Sequence, residues 1–262
     1  MELSIVIPVY NSEKILQSLV NEVGKSLKDS SINKELIFVN DCSIDNSWEV
    51  IKKIKKEKSY VKGINLFKNY GQHNAIAAGL SKAKGEYIVL MDDDLQHDPI
   101  YIRKILSELK KGYDACYVKY IERKHSRIKI FLSWLNHLTS SYLSDKSTSV
   151  YTSSFKGFNQ KICKKINEDA DLEVFLDWLI INNSNSLQSI EILHRDRFEG
   201  QTNYNFRKLL ILWSNMILKI KTNKKFKKYI VKFLQLIIKF ILFKILNKKE
   251  YTEKFLITEK VF

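Results

Sequence analysis

Residues 85–99 read GEYIVLMDDDLQHDP, and the fold follows from this stretch. The apolar run Tyr87-Ile88-Val89-Leu90-Met91 stops at three consecutive aspartates, Asp92, Asp93 and Asp94, followed by Gln96, His97, Asp98 and Pro99. A short run that is apolar at every residue is the pattern of a strand buried on both faces, as in a parallel sheet. Pro99 fits the first turn of a following helix. Carboxylates at the carboxyl end of such a strand stand where open α/β sheets bind ligands. Three so close repel one another and call for a cation. Oxygen donors with no Cys or His pair nearby suit Mg2+ or Mn2+, which commonly bridge to substrate phosphates. Capping the next helix would need only one carboxylate.

Outward from this stretch, apolar β-branched runs alternate with amphipathic ones. Strands are expected at 3–7, 35–40, 61–66, 87–91 and 113–117, with helices near 13–27, 47–56, 73–80 and 100–110 between them. That alternation means βαβ units and a doubly wound, mostly parallel sheet flanked by helices. The second half is less regular. It suggests helices at 126–143, 160–166, 172–181 and from about 206, with strands at 153–158 and 188–194.

Four polar loops then fall at one sheet edge. The first follows IPVYN (Pro8, Tyr10, Asn11), the second lies in VNDCSIDNS (Asn40, Asp41, Ser43, Asp45), the third in NYGQHN (Asn69, Gly71), and the fourth is the aspartate cluster. Asp45 or Ser43 alone reads as a helix N-cap. Together the four loops outline a crevice of nucleotide size.

In order and spacing, IVIPVYN, VNDCSIDNS, NYGQHNAIAAGL and MDDDLQHDP resemble the family 2 glycosyltransferases of GT-A fold. The nearest branch is the one that moves a sugar from a nucleotide donor onto a polyprenyl phosphate. The resemblance covers about residues 1–210, a catalytic domain, and does not reach 211–262. It implies a metal-dependent, inverting transferase that uses a nucleotide-diphosphate sugar and an undecaprenyl-type phosphate in cell-envelope glycan biosynthesis. The alternative is transfer to a saccharide hydroxyl of a lipid-linked glycan.

Carried over residue by residue, the resemblance makes Asp92, Asp94 and Gln96 the metal site and gives Asp93, at the variable middle position, no ligand role. Pro8, Tyr10 and Asn11 match the loop that packs on the nucleoside. Asn40-Asp41 matches an Asp-Asp pair that recognises the base, with asparagine replacing the first aspartate and Asp41 the preferred contact. Asp45, Asn69 and Gly71 complete the donor side. RDRFEGQTNY supplies Arg197, Gly200, Thr202 and Asn203, matching a loop that closes on the pyrophosphate, where a guanidinium reads phosphate oxygens in pairs. Asp92, Asp94 and Arg197 are thus the expected catalytic residues. Arg123, Lys124 and Arg127 match the acceptor-phosphate site. A hydroxyl acceptor would instead need a carboxylate base, for which Asp169, Asp171 and Glu173 are the candidates.

Charge adds a membrane to this picture. The net charge of the 262-residue chain is +15, and residues 219–262, with thirteen lysines and three glutamates, supply +10 of it. In FKKYIVKFLQLIIKFILFKIL, residues 226–246, lysines interrupt every long apolar run. A lysine at mid-bilayer costs roughly 3 kcal/mol. Residues 211–262 are therefore expected to be a basic amphipathic helical tail lying in an anionic membrane interface. Packing on the domain or a homo-oligomer contact are its other uses. Spanning helices, common at this place in the branch, are not expected.

The N-terminus MELSIVIPVYN enters a strand without a basic leader, and the three cysteines are odd in number and widely spaced. Both point to a reduced compartment, the cytoplasmic face of the plasma membrane. A nucleotidyltransferase would need a glycine-rich phosphate loop near the start, which IPVYNSEKIL lacks. A nucleic-acid module would mix basic and aromatic residues across one face, whereas here the charge concentrates in the tail.

Overall fold

The computed structural model describes residues 1–28, 31–121, 152–168 and 176–192, together with Lys232 and the backbone of 257–261. Eight strands among these residues form one sheet in the order β7-β5-β6-β4-β1-β2-β3-β8. The strands are β1 (Leu3–Val9), β2 (Lys34–Asn40), β3 (Val61–Leu66), β4 (Tyr87–Leu90), β5 (Ala115–Tyr120), β6 (Lys156–Asn159), β7 (Leu187–Ile192) and β8 (Ile257–Val261). The helices are α1 (Leu16–Ser26), α2 (Ser47–Glu57), α3 (Gln72–Leu80), α4 (Ile102–Lys110), α5 (Gln160–Glu168) and α6 (Leu176–Asn183).

Side chains alternate faces along each strand, and the core splits accordingly. Leu3, Ile5, Ile7, Leu36, Phe38 and Val89 pack beneath α1, α2 and α4. Val6, Ile37, Val39, Ile88 and Leu90 pack against α3, α5 and α6 on the other face. Every residue of β1 is buried, as a central strand covered on both sides must be. Helix α3 comes in close because Gly79 has no side chain: a Cβ there would stand 2.4 Å from a Val6 methyl carbon.

The chain runs β1, β2, β3 across the sheet and then crosses to place β4 on the other side of β1, parallel to it. That reversal makes the β1/β4 boundary the topological switch point, where such sheets open a crevice. Pro8 shows how it opens. Val6 O accepts from Met91 N at 3.3 Å and Val9 O from Asp41 N at 2.9 Å, so the nitrogen of Pro8 faces the β4 side. The β1–β4 pairing has already ended at Val6–Leu90. A proline is tolerated in this central strand because no partner remains for the N–H it lacks.

Several details differ from the sequence expectation. Pro8 lies buried inside β1 opposite Val39 rather than in the following loop. β5 begins at Ala115 and continues past 117 to Tyr120, where exposed Lys119 pairs with Glu191 of β7 at 2.7 Å. β6 is antiparallel to both β4 and β5. A separate helical tail over 211–262 also fails at its end: residues 257–261 form β8, hydrogen-bonded antiparallel to β3. Backbone pairing explains this, since β8 covers the edge that β3 would otherwise expose. The helices expected at 126–143 and from 206, and residues 226–246 apart from exposed, helical Lys232, lie outside the described residues. Among the described residues no helix is long and apolar enough to cross a membrane.

Candidate active site

Each of the four loops at the carboxyl edge of the parallel strands contains one residue in the left-handed region. These are Asn11 (φ 56°), Cys42 (φ 54°), Gly71 (φ 88°) and Leu95 (φ 58°). Three of the four are not glycine, and such strain persists only where surrounding contacts fix it. Here the contacts run from loop to loop.

The first and second loops are laced together. Asn11 N donates to Ser43 Oγ (3.0 Å), Ile44 N donates to Asn11 Oδ1 (2.9 Å), and Glu13 N donates to Asp45 Oδ2 (3.0 Å). Asp45 also accepts from Ser47 N at 3.0 Å and Ser47 Oγ at 2.6 Å, at the start of α2. Asn40 is buried, its amide donating to Asn65 Oδ1 at 2.7 Å and its oxygen accepting from Ser43 Oγ at 2.5 Å. Asp41 is buried as well and accepts from the amides of Tyr70 and Gly71, both at 2.8 Å. Burial pushes its carboxyl up despite those two amides. Tyr10 and Asn69 stand exposed on the rim.

The aspartates divide their work. Asp93 turns to the first loop, accepting from Tyr10 N at 3.3 Å and from the Ser12 hydroxyl. Burial, with Asp92 and Asp94 beside it, raises Asp93 to about 6. Asp92 accepts from Gln72 Nε2 (2.7 Å) through Oδ1 and lies 3.0 Å from His97 Nε2 through Oδ2. Burial would raise Asp92, but His97, Ser154 and Lys156 outweigh it and hold the carboxyl below its ordinary range. Asp94 Oδ1 accepts from Gln96 N at 3.1 Å across the strained Leu95. Asp98 caps the turn at Pro99 by accepting from Ile100 N at 3.0 Å.

The site thus gathers Tyr10, Asn11, Asn40, Asp41, Asp45, Asn69, Gly71, Asp92, Asp94 and Gln96 at one edge. Arg123, Lys124, Arg127, Asp169, Asp171, Glu173, Arg197, Gly200, Thr202 and Asn203 lie outside the described residues. Sequence reasoning missed Gln72, His97, Tyr120 and Ser154, which touch Asp92 or its partner, and the buried pair Lys156–Asp177 behind them. An amide and an imidazole beside the aspartate loop were the only available signal.

Among the described residues no three carboxylate, imidazole or thiol groups form a complete metal cage. The donor set of Asp92, Asp94 and Gln96, with Asp92 held ionised, fits a hard divalent cation that takes its remaining oxygens from substrate phosphates.

Comparison with known proteins places the chain in a family. Residues 4–167 match the family described as Glycosyl transferase family 2. The chain is 30% identical over 217 residues to undecaprenyl-phosphate 4-deoxy-4-formamido-L-arabinose transferase of Proteus mirabilis, covering 82% of this chain and 67% of that one. It is 29% identical over 220 residues to the transferase of the same name from Shewanella sediminis, covering 84% and 66%. The chain therefore spans about two thirds of the length of these curated relatives. Among solved structures, S. aureus TarS 1–349 in complex with UDP-GlcNAc superimposes with a TM-score of 0.58 at 20% identity, covering 95% of this chain and 76% of that one. Glucosyl-3-phosphoglycerate synthase of Mycobacterium tuberculosis, in complex with Mn2+, UDP-glucose and phosphoglyceric acid, gives 0.60 at 12% identity, covering 86% and 81%. At these identities the two structures establish the fold alone.

Proposed function

The chain belongs to glycosyl transferase family 2 and has its GT-A fold, and from that premise we propose that it moves a sugar from a nucleotide diphosphate onto a polyprenyl phosphate of the undecaprenyl type. The observation that carries the reading is the aspartate cluster at the β1/β4 switch point, with Asp92 kept ionised and half-buried Asp93 bonded to the first loop. The names of the curated relatives support the acceptor.

Asp92, Asp94 and Gln96 would hold Mg2+ or Mn2+ on the donor diphosphate. When bound, the cation neutralises charge on the leaving diphosphate, worth several kcal/mol in the transition state. The chain's own residues position the donor. Asp93 holds the first loop through Tyr10 N and Ser12, and Asp41 holds the third through Tyr70 and Gly71. Asn11, Asn40, Asp45 and Asn69 complete the donor side, and Arg197 with Gly200, Thr202 and Asn203 would close on the pyrophosphate. In the reaction the anomeric C–O bond to the diphosphate breaks and a C–O bond to the acceptor phosphate forms on the opposite face. A phosphate acceptor is already anionic and needs no protein base. It needs cations, which Arg123, Lys124 and Arg127 would supply.

A lipid acceptor places the site at a membrane surface. Apolar side chains face outward around the crevice, Ile44 at 87%, Phe67 at 61% and Ile100 at 57% exposure. The lysine-rich 219–262 segment suits anionic lipid. We assign the enzyme to the cytoplasmic face of the plasma membrane as a peripheral protein.

The test is release of nucleoside diphosphate from UDP- and GDP-sugars with Mn2+ or Mg2+, with and without undecaprenyl phosphate. Metal-dependent release stimulated by the lipid phosphate is expected, and lost in Asp92→Asn. Turnover stimulated by a saccharide instead would move the acceptor to a hydroxyl and make Asp169, Asp171 and Glu173 the base candidates. No binding of any nucleotide sugar would overturn the reading.

A further inference from the structure

His97 has no part in the transfer as derived so far, yet it is one of the most fully engaged side chains near the crevice. It is 5% exposed. Its ring packs between Phe155, with centroids 5.1 Å apart, and Tyr120, at 5.9 Å. Nδ1 meets the hydroxyl of Tyr120, while Nε2 lies 3.0 Å from Asp92 Oδ2 and 3.1 Å from Ser154 Oγ. These partners come from three places: the end of β5, the approach to β6 and the end of β4.

Hydrogen-bond direction follows from the chemistry of the partners. The ionised carboxylate of Asp92 can only accept, so Nε2 carries the hydrogen. In the Nε2–H tautomer Nδ1 is an acceptor, and the phenolic hydroxyl of Tyr120 donates to it. The other tautomer would set the lone pair of Nε2 against a carboxylate oxygen. Tyr120 therefore selects the tautomer that serves Asp92. With Gln72 holding Oδ1 at 2.7 Å, the carboxylate is fixed from both sides and still keeps a lone pair for a cation.

We propose that His97 is a positioning residue for Asp92: it locks the carboxylate in its cation-binding orientation, and Tyr120 holds the imidazole in the required tautomer. The inference rests on the reading of Asp92 as a ligand of the donor-bound cation. Outer partners of metal ligands of this kind govern affinity by about 10–100-fold.

The experiment titrates Mn2+ into the full chain with UDP and, in parallel, with GDP, following free Mn2+ by electron paramagnetic resonance. His97→Phe keeps a ring in place without a donor and should weaken Mn2+ binding by about 10–100-fold. His97→Gln, whose amide nitrogen can occupy the place of Nε2, should recover most of the loss. Tyr120→Phe removes one oxygen and should cause an intermediate loss. The 15N imidazole resonances of His97 should show the Nε2–H tautomer in the native protein and a mixture in Tyr120→Phe, an effect that a merely structural role would not produce. If His97→Phe fails to fold, judged by its thermal midpoint, Tyr120→Phe and the 15N spectrum carry the test.

Native Mn2+ affinity in His97→Phe, no recovery in His97→Gln, or an Nδ1–H tautomer in the native protein would overturn the proposal. Equal Mn2+ binding by the native chain and Asp92→Asn would instead remove the cation-ligand premise beneath it.

Discussion

Asp41 Oδ2 accepts a hydrogen bond from the amide of Gly71 at 2.8 Å, while its other oxygen accepts from Tyr70 N at the same distance. One carboxylate thus fastens the loop after β2 to the left-handed turn that opens α3. In the proposed reaction Asp41 would act on a bound nucleotide by shaping the wall of the crevice. Asp41→Asn would turn one acceptor into a donor facing an amide N–H. The expected cost is about 1.5–3 kcal/mol of stability, with a rise in donor KM. Denaturant midpoints and donor kinetics check this, and a variant unchanged in both would show that the clasp does not matter.

Lys156 and Asp177 form a buried ion pair that ties the first residue of β6 to α6, with the ammonium 5.4 Å from the ring centre of Tyr117. Removing one partner strands a buried charge, so Asp177→Ala should lose about 3–5 kcal/mol. The double replacement Lys156→Met with Asp177→Leu should regain most of it. Equal stability of the single and double variants by thermal or chemical denaturation would refute a stranded charge.

Glu35 sets an acid limit on stability. Burial alone would raise its carboxyl, but the Lys62 ammonium at 2.6 Å, the Ser4 hydroxyl at 2.5 Å and the Lys84 amide at 2.7 Å outweigh it and hold it below its ordinary value of 4.5. A depressed folded-state pKa contributes stability that is complete above the unfolded value and is lost as pH falls through the folded one. Glu35→Gln should therefore be less stable than the native chain at pH 7, with the gap narrowing toward pH 3. A pH-independent gap in thermal midpoints would argue against the linkage.

Much of this architecture is legible in the sequence because its signals are local. β1, β2 and β4 announce themselves by apolar runs and β3 by apolar residues spaced with Lys62 and Asn65, and each ends in a polar loop on the same edge. What stayed hidden depends on distant partners. His97 reads as one more loop residue, since its contacts Tyr120 and Ser154 lie 23 and 57 positions away. The antiparallel direction of β6 has no signature in four residues. Asn40 and Asp41 look like ligands by type, and their hydrogen bonds to Asn65, Ser43, Tyr70 and Gly71 could not be read from the sequence. The short strand at 257–261 is masked in the sequence by the lysine count around it, and only pairing with β3 reveals it.

The most direct measurement is transfer of labelled sugar into butanol-extractable lipid from a nucleotide-sugar donor and undecaprenyl phosphate, with Mn2+ and with EDTA. The account predicts Mn2+-dependent labelling of the lipid phosphate, reduced about 100-fold or more in Asp94→Ala. Labelling that persists in EDTA, or in Asp94→Ala at the native rate, would contradict it.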